Sequence, residues 1–161
     1  MAEIDNLLNK GLEAGYVGNA KRETVQRGAF KLEVSQFISP DGSIYRDEWI
    51  ADRVGGGQEI AQSKEGKQTR LYAGGTIKHD ELAKLGITKK DVEGKLKQFI
   101  KTSEGKTRLT EDYLPESDGD WQYSYKVIER VKGIPLTVGM ETIAFSGKTV
   151  FAHAFALSPI E

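Results

Sequence analysis

The stretch from Trp121 to Ile160, WQYSYKVIERVKGIPLTVGMETIAFSGKTVFAHAFALSPI, is the most strand-like and most apolar part of the chain. A weaker copy of it runs from Ile44 to Ile77. IYRDEWI lies over QYSYKVI, GGQEI over VGMET, and EGKQTRLYA over SGKTVFAHA. Matching positions include Tyr45 with Tyr123, Glu59 with Glu141, Gly66-Lys67 with Gly147-Lys148, and Ala73 with Ala154. Each unit reads as strand, loop, hairpin. Self-similarity on this scale points to two supersecondary units that bury a shared core. Any two β-hairpins also share alternation and a glycine turn, which is the competing explanation. If the duplication is real, the units relate by a pseudo-twofold axis. The expected fold is then α+β, with a strongly curved or barrel-like antiparallel sheet, an N-terminal helix and a central helical segment. Its concave face is where a ligand would bind.

The remaining segments fit this plan as one domain over 1–161, with repeat units at 29–78 and 107–161 and a helical connector at 79–105. Ile4, Leu7, Leu8 and Leu12 recur at helical spacing before Gly15, so 3–14 reads as an amphipathic helix. Residues 16–28 are polar and read as a loop. Phe30, Leu32 and Val34 alternate with polar residues, and Phe37 breaks the parity, which predicts a bulge. Ser39-Pro40-Asp41-Gly42 is a turn leading into a strand over 43–51. Gly55-Gly56-Gly57 reads as a flexible connection before a hairpin around Lys64-Glu65-Gly66. His79 to Leu85 reads as a short helix stopped by Gly86. Thr88, with Asp91 three residues on, caps a longer helix with a Val92, Leu96, Phe99, Ile100 stripe. Strands are expected at 121–131, 137–145 and 148–157.

At 161 residues the chain can bury about 70% of its extended surface, enough for a core without staples. It has no cysteine, so disulfides, thiolate metal sites and cysteine nucleophiles are excluded, and a cytoplasmic setting is expected. No secretory signal and no apolar run of membrane-spanning length is visible, so no membrane partner is expected. The net charge of −1 gives no global pull toward nucleic acid. Residues 84–108 do carry eight Lys/Arg against three Asp/Glu. Those lysines flank a buried stripe, as on a solvated helix face, and the acidic segment 111–120 can offset them.

The opening LLNKGLEAGY, the segment IYRDEWIADRVGGGQEIAQ, the Ala-Gly-Gly after the first hairpin, and GDWQYSYKVIERVKG…GMETIAFSGKTVFAHAF give a resemblance covering most of the chain. The pattern resembles a bacterial and archaeal domain-of-unknown-function family that occurs alone or behind a helix-turn-helix DNA-binding domain. The resemblance carries no activity with it. Nothing at the N-terminus here reads as a helix-turn-helix. If the fused form senses ligands, this chain is expected to bind one without itself contacting DNA.

Strand parity sorts the candidate residues. Tyr45, Asp47 and Trp49 share one face; Trp121, Tyr123, Tyr125 and Val127 share the equivalent face; Phe151, His153, Phe155 and Leu157 share a third, opposite an alanine face suited to lie beneath a helix. His153 is the acid–base candidate, with Glu141 or Asp47 as its orienting partner. The plainer alternative is a histidine hydrogen-bonded among aromatics. Glu59 and Glu141 are either carboxylates paired across the axis, able to share a proton or a cation, or structural residues bonded to backbone or to a cross-strand Lys or Arg. With two histidines and no calcium-type loop, no metal and no cofactor are expected. The glycine triplet lacks the helix and lysine of a phosphate loop.

The leading expectation is a non-catalytic domain that binds a small apolar or aromatic molecule. Tyr45, Trp49, Arg70, Tyr72, Tyr123, Tyr125, Phe151 and Phe155 are its candidate contacts. The alternatives are an isomerase, cyclase or hydrolase built on His153 with a carboxylate, and a protein-interaction module, with a homodimer as one form.

Overall fold

The computed structural model of the chain describes residues 3–18 and 21–161. Helix α1 (Glu3–Leu12) runs into a wider turn at Glu13–Val17. Five strands follow: β1 (Glu23–Arg27), β2 (Phe30–Ile38), β3 (Ile44–Ala51), β4 (Val54–Ser63) and β5 (Gly66–Thr76). Helices α2 (His79–Lys84) and α3 (Lys89–Thr102) come next, then β6 (Trp121–Arg130), β7 (Thr137–Phe145) and β8 (Lys148–Ile160). The strands make one antiparallel sheet in the order β1-β2-β3-β4-β5-β8-β7-β6. Consecutive strands are joined as hairpins except where α2, α3 and the acidic segment carry the chain from β5 to the far edge. The sheet is open: β1 and β6 are its two edges and do not pair, so the barrel-like closure is not formed.

All the helices lie on one face. Leu7, Leu8 and Leu12 of α1 pack with Tyr45, Ala61, Leu109 and the aromatic residues of the main core. Val92, Leu96, Phe99 and Ile100 of α3 pack on Tyr123, Tyr125, Ile143, Phe151 and Phe155. The 3.6-residue stripe and the period-two strand pattern therefore meet face to face. The opposite face carries Ala73, Ala154, Leu71 and Ile60 in the open. The alanine face is thus the bare side of the sheet, and the helices cover the Phe-His-Phe side. No helix among the described residues is long and apolar enough to cross a membrane.

Several local expectations change. The segment read as a loop over 16–28 contains β1, a polar edge strand with no apolar face to reveal it; residues 19 and 20 of that loop, and the side chain of Ile4, lie outside the described residues. Phe37 pairs in register with Tyr45, and no bulge occurs there. The irregularities fall instead between Val127 and Glu129 and between Ile143 and Ala144. The glycine triplet is not a connection but the start of β4, paired with both neighbours. A Cβ on Gly55 would lie 2.2 Å from the Ile50 carbonyl oxygen, so this crowded crossing admits only glycine.

Two substitutions test how the helices are held. A Cβ on Gly11 would lie 2.0 to 2.4 Å from three ring atoms of Tyr45, whose hydroxyl is anchored on Glu59. Alanine there gains about 1 kcal/mol of helix propensity, yet forcing atoms into a filled core costs ~1–3 kcal/mol. Gly11→Ala is therefore expected to be net destabilising in denaturant titration, the reverse of the usual outcome within a helix. Thr88 and Asp91 form a reciprocal capping box at the start of α3. Thr88→Ala is expected to lower stability by about 1 kcal/mol, with melting temperature as the readout.

Candidate functional site

Cross-strand register lays out the covered face. One row reads Ser35, Asp47, Glu59, Arg70 and Leu157; the next Trp49, Gly57, Tyr72 and Phe155; the next Ala51, Gly55, Gly74, His153 and Glu141. Glu59 thus sits opposite Arg70, and Glu141 opposite His153. Aligning the halves by sequence puts Ala73 over Ala154, two residues out of step with this pairing. A bulge that leaves Val150 unpaired accounts for one of them.

Two buried ion pairs hold this face. Glu59 accepts from Arg70 Nε at 2.5 Å and Nη2 at 2.8 Å, and from the Tyr45 hydroxyl at 2.7 Å. Glu141 accepts from Arg108 Nε and Nη2, both at 2.8 Å, and from the Tyr123 hydroxyl at 2.6 Å. Arg70 is wholly buried and also donates to Asn9 Oδ1 and to the Arg108 carbonyl. Asn9 in turn donates to the carbonyls of Gly105 and Thr107, tying α1 to the connector. Each carboxylate is thus neutralised by its own arginine, and the two glutamates share neither a proton nor an ion.

Beside these pairs a cleft of about 370 Å³ opens between α3 and the sheet. Trp49, Tyr72, Phe151 and His153 contribute from the strands, Tyr16 from the turn after α1, and Val92 and Leu96 from α3. Gly55, Gly56, Gly74 and Gly75 form its floor. Gly74 and Gly75 have φ of +147° and +152°, and a Cβ on Gly74 would lie 2.0 Å from the Ala152 carbonyl oxygen. A Cβ at either position would strike the backbone of a neighbouring segment, so the strand carries glycine there and its backbone stays bare beside the cleft. Gly57 lets the phenol of Tyr72 lie across it, so that its hydroxyl donates to Asp47 at 3.0 Å.

Two titratable groups of the cleft wall, Asp47 and His153, are biased toward their neutral forms. Burial, reinforced by the neighbouring Glu59, pushes the Asp47 carboxyl up to about 8. Burial lowers His153 to about 4, against the opposing pull of Glu141. His153 Nδ1 faces Glu141 Oε2 at 3.8 Å, too far for a hydrogen bond, and is buried without a partner.

The site residues expected from the sequence therefore divide. Asp47, Trp49, Tyr72, Phe151 and His153 line the cleft. Tyr45, Arg70, Tyr123, Tyr125, Phe155 and Glu141 do not: they are buried beneath it, Tyr125 with its hydroxyl on the Leu109 carbonyl. Compared with models of protein families, with curated proteins and with solved structures, the chain matches none. Among the described residues no three His, Asp or Glu side chains cluster as a metal site requires. Arg108 escapes a sequence reading, since it follows a lysine-rich helix in a loop and takes a left-handed φ of 61°. Only its match to Arg70, as the missing cation for Glu141, signals it. Of the connector's lysines, Lys95 pairs with Asp118 at 2.5 Å and Lys89 with Glu93 at 3.6 Å.

Proposed function

We propose that this protein is a non-catalytic module that binds one small, flat, largely apolar organic molecule in the cleft between α3 and the sheet. The observation that carries the reading is a space of about 370 Å³ lined by Tyr16, Trp49, Tyr72 and Phe151 over a glycine floor, with charged side chains such as Arg22, Glu33, Asp52 and Lys97 also around it. Sites for small molecules are likewise concave and combine apolar and aromatic side chains with placed polar groups. The resemblance to a family found behind helix-turn-helix domains fits a sensing role, with this chain as the ligand-holding part. The matched Tyr45–Glu59–Arg70 and Tyr123–Glu141–Arg108 contacts fit a duplicated ancestor whose two halves frame the cleft.

The acid–base alternative is the weaker one. His153 lacks an orienting hydrogen bond, Glu141 is already held by Arg108, and a histidine with a pKa near 4 is a feeble base at neutral pH. A different use of the surface is favoured by the bare outer face around Leu71, Ile60 and Ala154, which would suit a second copy of the chain. Sedimentation equilibrium at micromolar concentration separates a dimer from a monomer.

The binding reading is tested by nitrogen–proton NMR during a screen of small aromatic compounds. Shifts clustered at Gly55, Gly74, Gly75 and the Trp49 indole are expected. A screen in which these signals stay fixed, or in which changes scatter over the outer face, overturns it.

A further inference from the structure

The chain closes one edge of its sheet and leaves the other open. Along β6, Tyr113 and Tyr125 exchange main-chain hydrogen bonds of 2.9 Å, and Asp118 and Trp121 do the same at 2.9 and 3.1 Å. Asp112 Oδ1 accepts from the Val127 N–H at 2.7 Å, and the Gln122 side chain donates to the Tyr123 carbonyl at 2.8 Å. The acidic segment thus covers that edge. At the other end β1 has β2 as its one strand neighbour. Among the described residues no hydrogen bond joins the outward main chain of β1 to another segment. Free N–H and C=O groups along an edge are a template for one more strand.

The letters of β1 say which strand fits there. Laid antiparallel to a second copy and centred on Val25, ETVQR places Glu23 opposite Arg27, Thr24 opposite Gln26 and Val25 opposite itself. Residues directly opposite on antiparallel strands share a face, so two Glu–Arg pairs form, one on each side of the axis. Glu23 has no side-chain partner among the described residues. Arg27 reaches back to Glu48 at 2.9 Å, but its side chain is 56% exposed and a guanidinium has five N–H groups to share. Within the chain Val25 stands opposite Leu32. The same register therefore builds an unbroken apolar row across the join, Leu32 and Val25 of one copy running into Val25 and Leu32 of the other. Sliding the centre toward the N-terminus opposes Arg22 or Lys21 to Arg27, and parallel pairing opposes each charge to its like. The charges that blunt this edge against other strands select this one.

We propose that two copies of the chain pair antiparallel through β1, joining their open sheets into one continuous sheet across a twofold axis at Val25. The join stands apart from the binding reading, although it runs beside the cleft, where Thr24 lies opposite the cleft-lining Glu33. Five residues a side bury far less than the ~1,600 Å² of a standard interface, so the dimer is weak and reversible, with a Kd of about 100 µM.

The test is sedimentation equilibrium with amide NMR on the full chain, from roughly tenfold below to tenfold above that concentration. The mass is expected to rise toward that of a dimer, with shifts confined to β1 and β2. Glu23→Arg opposes arginine to arginine twice, and Arg27→Glu opposes glutamate to glutamate twice; each is expected to weaken association roughly tenfold. Glu48 keeps Arg46 at 2.7 Å in the second variant, so the hairpin is retained. Mixed in equal amounts, the two variants form a pair in which every charge is matched, and association returns to the parent level. A strict monomer at the highest concentration overturns the proposal. So does a dimer indifferent to Glu23→Arg, which would place the contact elsewhere, such as the bare outer face. A mixture that associates no better than either variant alone overturns the register. None of these results bears on ligand binding at Trp49, which is measured separately.

Discussion

Replacing Arg70 by methionine is expected to cost about 3–5 kcal/mol of folding stability. The guanidinium is fully buried and supplies two of the three hydrogen bonds that Glu59, itself 1% exposed, receives. Methionine fills much of the same volume, so the loss is not one of packing. It strands a carboxylate with the Tyr45 hydroxyl as its remaining donor and leaves Asn9 Oδ1 and the Arg108 carbonyl without theirs. Removing both ions, as in Arg70→Met with Glu59→Leu, is expected to be far milder than the single change, since a buried pair contributes little beyond what an apolar pair of the same shape would. Urea titrations of the two variants decide it. A single variant within 1 kcal/mol of the parent contradicts the assignment of this pair as the keystone between α1, the sheet and the connector.

The second large effect is a dependence of stability on pH. Asp47 holds its proton in the folded state up to about 8, against an ordinary value of 3.8, so the folded chain binds the extra proton. Its contribution is complete below pH 4 and is lost as pH rises toward 8. His153 acts in the opposite sense, because its folded value near 4 lies below the ordinary 6.5. Its contribution is complete above 6.5 and is lost as pH falls toward 4. The two slopes cancel between pH 4 and 6.5, leaving Asp47 alone from 6.5 to 8. Stability is expected to fall by about 2 kcal/mol across that upper interval, at 1.36 kcal/mol per unit for one proton. Asp47→Asn should flatten the decline, and His153→Gln should extend it down to pH 4. A parent protein equally stable at pH 6.5 and 8 contradicts a protonated Asp47.

The strands and both long helices are legible in the sequence because each buries one face, and a buried face leaves a period. Val92, Leu96, Phe99 and Ile100 mark α3, and Phe151, Phe155 and Leu157 mark the inner side of β8. Where no face is buried the period vanishes. ETVQR forms an edge strand that a polar loop would spell equally well. Glycine carries no pattern at all, so the triplet reads as a break although it forms part of the cleft floor. Parity also says which side chains share a face without saying how deep each lies. Tyr123 and Trp49 look alike in alternation, yet α3 seals the first with Phe99 stacked at 5.3 Å and leaves the second at the cleft mouth. The match of Glu59 with Glu141 is visible in the letters, whereas their arginines come from a strand in one case and a loop in the other. No spacing rule joins Arg108 to Glu141; only the folded connector does.

Trp49 offers the most direct test, because it is the cleft's own reporter and the other tryptophan, Trp121, packs away from it against Phe145. In a Trp121→Phe protein, indole emission comes from Trp49 alone. Titration with a small aromatic compound that lacks an indole is expected to give a saturable change in that emission, weakened once Ala51→Leu narrows the cleft that Ala51 lines. Emission that stays constant to millimolar ligand, or changes identically in the Ala51→Leu protein, would contradict a binding cleft at this place in the fold.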